Sequence, residues 1–148
     1  MQEQKDKRAK NKLSKLHSVS NDRPFDLERT HKIAAMEASK ASAGDVFLLI
    51  GDLGAGKSTF AKFFIEALGL EYQGSPTFGY LNYYQNPELL HIDMYNHGKA
   101  IIQEILENRD AILLIEWPSE AILSMFKNVT KLKFHFDGVS RWIERSQE

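Results

Sequence analysis

Two glycines five positions apart, followed at once by a lysine and a hydroxyl residue, stand at Gly51-Asp-Leu-Gly54-Ala-Gly56-Lys57-Ser58. Such a loop can wrap an anion, because glycines let the backbone turn until successive N–H groups point inward. A helix starting directly after them aims the positive end of its dipole at the same place. The string fits G-x-x-x-x-G-K-[ST], a loop that cradles the phosphates of a nucleoside triphosphate. In that pattern Lys57 sits on the β- and γ-phosphates and the Ser58 hydroxyl on Mg²⁺.

Phosphate chemistry also asks for carboxylates. Asp93 closes Leu89-Leu90-His91-Ile92-Asp93 and Glu116 closes Ile112-Leu113-Leu114-Ile115-Glu116. An acid at the carboxyl end of a strand beside such a loop can hold the metal or its waters, and a second can orient an attacking water. Either could instead be an ordinary strand end or a helix N-terminal charge. Ser75-Pro76-Thr77 falls in a predicted loop, where a threonine could sense the γ-phosphate, although the tripeptide alone is also a common turn. His91 and His97 are read as structural histidines, since no cysteine or third imidazole at helical spacing completes a transition-metal site. Tyr80, Tyr83 and Tyr84 could stack on bases, but strand aromatics usually pack on neighbours.

The elements that must position these residues are written in the hydrophobic pattern. Val46 to Ile50 is apolar without alternation, as in a parallel strand covered on both faces. Phe60, Phe63, Phe64, Ala67 and Leu68 recur at helical spacing, with Gly69 as the stop. Before the loop, a helix is expected from Leu27, capped by Asp26, to about Lys40. After it come strands at 78–84 and 88–95 around a Gln85-Asn86-Pro87 turn, then a helix over 98–108 on its Ile101, Ile102, Ile105, Leu106 face. A strand over 111–115 precedes a helix from Pro118 to about Lys127. Two further strands, 131–136 and 139–144, flank an Asp137-Gly138 hairpin turn. This order predicts an α/β domain with a mostly parallel central sheet, helices on its faces and an antiparallel C-terminal edge hairpin, the layout of P-loop nucleotide hydrolases.

Composition bounds the function classes. With 148 residues, 43% of them hydrophobic, the chain supports one domain with a proper core. It has no cysteine, which excludes disulfides, thiolate metal sites and thiol nucleophiles. No apolar run approaches the length of a membrane span, so a soluble, cytoplasmic protein is expected. Charge is uneven: residues 1–20 hold six Lys/Arg against Glu3 and Asp6, a surplus of four, and with a net charge of −1 the remainder carries −5. Residues 1–22 are therefore expected to be a disordered basic tail and 23–148 the folded domain. The tail could touch RNA or an acidic surface.

Four motifs in register, Gly51-Asp-Leu-Gly-Ala-Gly-Lys-Ser-Thr59, Ser75-Pro-Thr77, His91-Ile-Asp93-Met-Tyr95 and Ile115-Glu-Trp-Pro118, closely resemble the TsaE family. The resemblance covers about residues 26 to 145. It implies a small P-loop ATPase of tRNA threonylcarbamoyladenosine synthesis that takes ATP and Mg²⁺ and acts with the TsaB and TsaD proteins, with tRNA met indirectly. By matching positions it implies that Gly54, Ala55, Gly56, Lys57, Ser58 and Thr59 hold the phosphates, and that Ser58 and Glu116 serve Mg²⁺. It makes Thr77 the switch threonine and Asp93 the second acid at the reacting centre. Trp117 fits the signature and would line the nucleotide or partner surface, unless it is plain core. Thr30 and Arg141 fall near positions that approach the nucleotide. The chain departs from the pattern at Asn96, where the family carries arginine, at Ser58 in place of threonine, and in a shortened stretch from Asp93 to Glu116. Two other classes share the loop: a nucleotide-gated interaction module with negligible turnover, and a small-molecule kinase, which would need an arginine-bearing lid.

Overall fold

The computed structural model describes residues 23–52, 54–76, 79–95 and 100–147, so the basic tail lies outside the described residues. Ten elements follow one another: α1 (Arg23–Lys40), β1 (Val46–Gly51), α2 (Lys57–Ala67), β2 (Leu81–Tyr84), β3 (Leu89–Asp93), α3 (Ala100–Glu107), β4 (Ile112–Glu116), α4 (Glu120–Met125), β5 (Val129–Phe136) and β6 (Arg141–Gln147). They build one six-stranded sheet in the order β2-β3-β4-β1-β5-β6. The four inner strands run parallel, and β2 and β6 pair antiparallel at the two edges. The expected mostly parallel sheet with an antiparallel C-terminal hairpin is the fold observed.

Alternation along the apolar strands explains why the sheet needs helices on both faces. Phe47 and Leu49 of β1 join Leu114, Leu132 and Phe134 in a core beneath α1 and α2, where Ile33, Ala34, Phe60 and Phe64 pack. Val46 and Leu48 point the other way, to a second core with Leu90, Ile92, Leu113 and Ile115 under Ile101 and Ile105 of α3 and Ile122 of α4. Burying each such large side chain contributes about 2 kcal/mol, so both layers are held by the same strands. Across the first layer, Arg145 of β6 pairs with Glu37 of α1, a carboxylate only 2% exposed.

Several boundaries differ from those expected, each for a local reason. α1 starts at Arg23 and takes Asp26 into its first turn; Pro24 is tolerated there because a first-turn residue donates no intrahelical bond. β2 begins only at Leu81, because Tyr80 has a positive φ of 50° and its carbonyl turns to accept from Asp93 N at 2.9 Å. α4 starts after Pro118, with the Ser119 hydroxyl as its N-cap on Ile122 N. The hairpin turn spans 137–140: Asp137 Oδ1 accepts from Val139 N at 2.9 Å and Ser140 N at 2.7 Å. Gly51 is fixed by close approach, since a Cβ there would lie 2.5 Å from the Phe134 carbonyl oxygen across the β1–β5 register.

Candidate functional site

Where β1 ends, the chain makes a glycine loop and enters α2. Gly54 and Gly56 adopt φ of 78° and 110°, which side chains with a Cβ resist. Gly56 is the N-cap of α2 and supplies no side-chain hydrogen bond, so the first amides of that helix stay available to an external acceptor. Ala55 is buried and Thr59 half-buried, while Ser58 faces outward on the first turn. Lys57 curls back: its Nζ donates to the carbonyls of Gly51 and, at 2.8 Å, of Asp52. The same ammonium lies 4.1 Å from the centre of the Trp117 ring. Burial lowers the Lys57 pKa from its ordinary value, against the opposing pull of the Glu116, Asp52 and Asp93 carboxylates.

Sheet topology brings both acids to this loop. β4 lies beside β1, with Glu116 in register with Leu49 on one side and with Asp93 on the other. Glu116 is 4% exposed. Its Oε1 accepts from the Ser58 hydroxyl at 3.4 Å, and its Oε2 lies 2.5 Å from His91 Nε2. Asp93 is half-buried and its Oδ1 accepts from Tyr95 N at 2.9 Å. Trp117, with φ of 56°, leaves the strand in a turn and sets its ring edge-on to Tyr95 at 4.9 Å.

The segment ahead of Thr77 approaches from a third side. Ser75 Oγ donates to Ser58 Oγ at 3.4 Å. The segment is pinned to β2, with Asn82 Nδ2 donating to Gly74 O at 2.8 Å and Gln73 N donating to the Tyr84 hydroxyl, also at 2.8 Å. Thr77 itself lies outside the described residues, as do Asn96 and His97.

Lys57, Ser58, Asp93, Glu116 and Trp117 thus come together at the carboxyl ends of β1, β3 and β4. Thr30 lies on α1 and Arg141 on β6, outside those three strand ends. Thr30 is half-buried on α1, a turn before Ile33 and Ala34. Arg141 opens β6 with its guanidinium 4.0 Å over the Phe136 ring. Phe136 lines a cleft of about 300 Å³ next to the loop, with Gly51, Asp52, Ala55 and Trp142. Two contacts add to the sequence expectations: Ser75, expected only within the switch loop, reaches Ser58, and His91, expected as a structural histidine, meets Glu116. The available signal was strand alternation, which puts His91 on the same face as Asp93 and, through the β3–β4 register, as Glu116.

The donor set at the centre is oxygen only: a serine hydroxyl and a carboxylate, with a second serine hydroxyl behind. Among the described residues, no group of three or more His, Cys, Asp or Glu could cage a metal without help. That combination fits Mg²⁺, which usually takes one or two carboxylates and completes its shell with substrate phosphates and water. Among the described residues, no helix is long and apolar enough to cross a membrane.

Comparison with known proteins agrees with this layout. A family model described as threonylcarbamoyl adenosine biosynthesis protein TsaE matches residues 25–145. The tRNA threonylcarbamoyladenosine biosynthesis protein TsaE of Borreliella burgdorferi is 36% identical over 110 residues, covering 68% of this chain and 80% of that one. The protein of the same name from Bacillus subtilis is 37% identical over 101 residues, covering 64% of each chain. The crystal structure of Bacillus subtilis YdiB superposes with a TM-score of 0.64 at 26% identity, covering 82% of this chain and 81% of that one.

Proposed function

The chain belongs to the TsaE family, and from that premise we propose that it binds and hydrolyses ATP with Mg²⁺ in support of threonylcarbamoyladenosine modification of tRNA. Its partners in this reading are TsaB and TsaD, taken from the family resemblance, and its place of work is the cytoplasm. One observation carries the chemical half of the reading: Ser58, Glu116 and Asp93 converge on a glycine loop whose helix presents uncapped amides.

The roles follow from geometry and charge. The loop and first-turn amides of Gly54 to Thr59 would donate to the phosphate oxygens. Lys57 would release the Gly51 and Asp52 carbonyls and the Trp117 ring, and turn to the phosphate oxygens as the stronger, charged partners. Ser58 and Glu116 would hold Mg²⁺, whose charge neutralises that developing on the transferred phosphoryl group. Asp93, next to Glu116 across the β3–β4 register, is suited to orient the attacking water. Thr77 would close the loop on the γ-phosphate, a role supported by the contact its neighbour Ser75 already makes with Ser58. The cleft bordered by Phe136 and Trp142 suits the base, with Arg141 stacked at its rim. Thr30 would complete the nucleotide contacts from α1.

The test is steady-state ATPase of the purified chain with a TsaB–TsaD pair and tRNA added one at a time. Turnover is expected to be slow alone and to rise about a thousandfold or more with the pair, because a cation supplied in trans to the transferring group has effects of that order. A rate indifferent to every addition would replace this reading with the nucleotide-gated interaction module.

A further inference from the structure

The two oxygens of Glu116 have different partners, and this asymmetry is built by a residue to which the nucleotide reading gives no task. Oε1 faces the glycine loop, 3.4 Å from the Ser58 hydroxyl, which in turn is 3.4 Å from Ser75 Oγ. Oε2 faces into the fold and meets His91 Nε2 at 2.5 Å. The imidazole is fully buried, and the Tyr72 ring lies beside it with centroids 6.3 Å apart. Its other nitrogen, Nδ1, has no hydrogen-bond partner among the described residues. A proton on Nε2 therefore gives the carboxylate a donor and leaves only a lone pair at Nδ1. A proton on Nδ1 alone would bury an unpaired N–H and set a lone pair against the carboxylate, which is costly on both counts.

We infer that His91 is a positioning residue: its Nε2–H ties down Glu116 Oε2, so that Oε1 alone is presented to the metal beside Ser58. The sheet enforces this. His91 and Asp93 share one face of β3, Glu116 sits opposite Asp93 on β4, and the strand spacing leaves the imidazole to span the diagonal. A carboxylate free to rotate could swing both oxygens towards the metal or away from it. A buried donor on one oxygen removes that freedom before the metal arrives, and losing such an outer partner typically lowers metal affinity about 10- to 100-fold.

The inference rests on the proposed Mg²⁺–nucleotide site, and the experiment separates the two. ADP affinity is measured in EDTA with a fluorescent ADP analogue, and Mn²⁺ affinity of the ADP-loaded chain by electron paramagnetic resonance. Both are applied to the full chain and to His91→Phe, His91→Gln and His91→Asn. Gln places an amide N–H where Nε2 stood, whereas Asn reaches only to the Nδ1 position. The expected result is metal-free ADP affinity within about twofold for all variants, with Mn²⁺ affinity reduced about tenfold or more in His91→Phe and His91→Asn and largely restored in His91→Gln. If His91→Phe does not fold, the Gln and Asn variants carry the same contrast. Equal Mn²⁺ affinity across the variants, or His91→Gln as weak as His91→Asn, overturns the inference while leaving the nucleotide site standing. A parent chain that binds no ADP overturns both.

Discussion

Lys57 rests with its ammonium on the carbonyls of its own loop and against the Trp117 ring, so in the proposed site an incoming phosphate would have to draw it away from partners it already holds. The acids stand differently. Glu116 is anchored by His91 and Ser58, and Asp93 by the Tyr95 amide, so replacing either acid by its amide preserves shape while removing charge. Such a change acts most where charge develops, in the transition state. Glu116→Gln and Asp93→Asn should each lower the turnover number by about tenfold or more while changing nucleotide affinity by less, as seen by comparing partner-stimulated turnover with equilibrium binding. An amide variant that binds less ATP yet keeps its full turnover number would contradict those roles. Most of this centre could be read in the sequence because Gly54, Gly56, Lys57 and Ser58 have fixed spacing along one stretch. Glu116's bond to His91 is only half legible there: alternation puts His91 on the face of Asp93, but the bond joins residues 25 positions apart and exists only once β3 and β4 are paired.

Between residues and the whole stand the β1–loop–α2 unit and the β5–β6 hairpin. Gly51 ends β1 against β5, and any Cβ there meets the Phe134 carbonyl at 2.5 Å, backbone that has no flexible end to yield. Gly51→Ala should therefore destabilise the domain by about 1–3 kcal/mol, the usual scale for overpacking, and chemical denaturation would reveal it as a lower midpoint. An unchanged midpoint would mean that β1 and β5 can part without cost. In the hairpin, the Ser140 and Val139 amides hold Asp137 below the usual aspartate pKa. A lowered folded pKa means the contribution is complete above the unfolded value, about 3.9, and is lost as pH falls through the folded one. Asp137→Asn should keep the turn at neutral pH and remove that part of the acid-range loss, followed by amide exchange at Val139 and Ser140. The same exchange profile in parent and variant would contradict it. The strands were legible because Val46–Ile50 and Ile112–Ile115 are apolar without interruption. Their ends were less so: Tyr80's backbone and the four-residue Asp137 turn are settled by hydrogen bonds to distant or local partners that hydrophobic periodicity does not encode.

The described residues form a single sheet with one core on each face, and the proposed site lies at the carboxyl ends of the inner strands, where open α/β sheets bind ligands. The Arg145–Glu37 pair ties β6 to α1, joining segments near the two ends of the family match at residues 25 and 145. The proposed function requires a nucleotide site in this fold before any partner can regulate it. The most direct measurement is calorimetric titration of the full chain with ATP and Mg²⁺, beside Lys57→Ala. The parent should bind at one site per chain, and the alanine variant should bind at least about tenfold more weakly, since a charge-assisted contact of about 1.5–3 kcal/mol is lost. A parent that takes up no ATP, or a Lys57→Ala variant that binds it as tightly as the parent, would contradict the assignment of this loop as the nucleotide site.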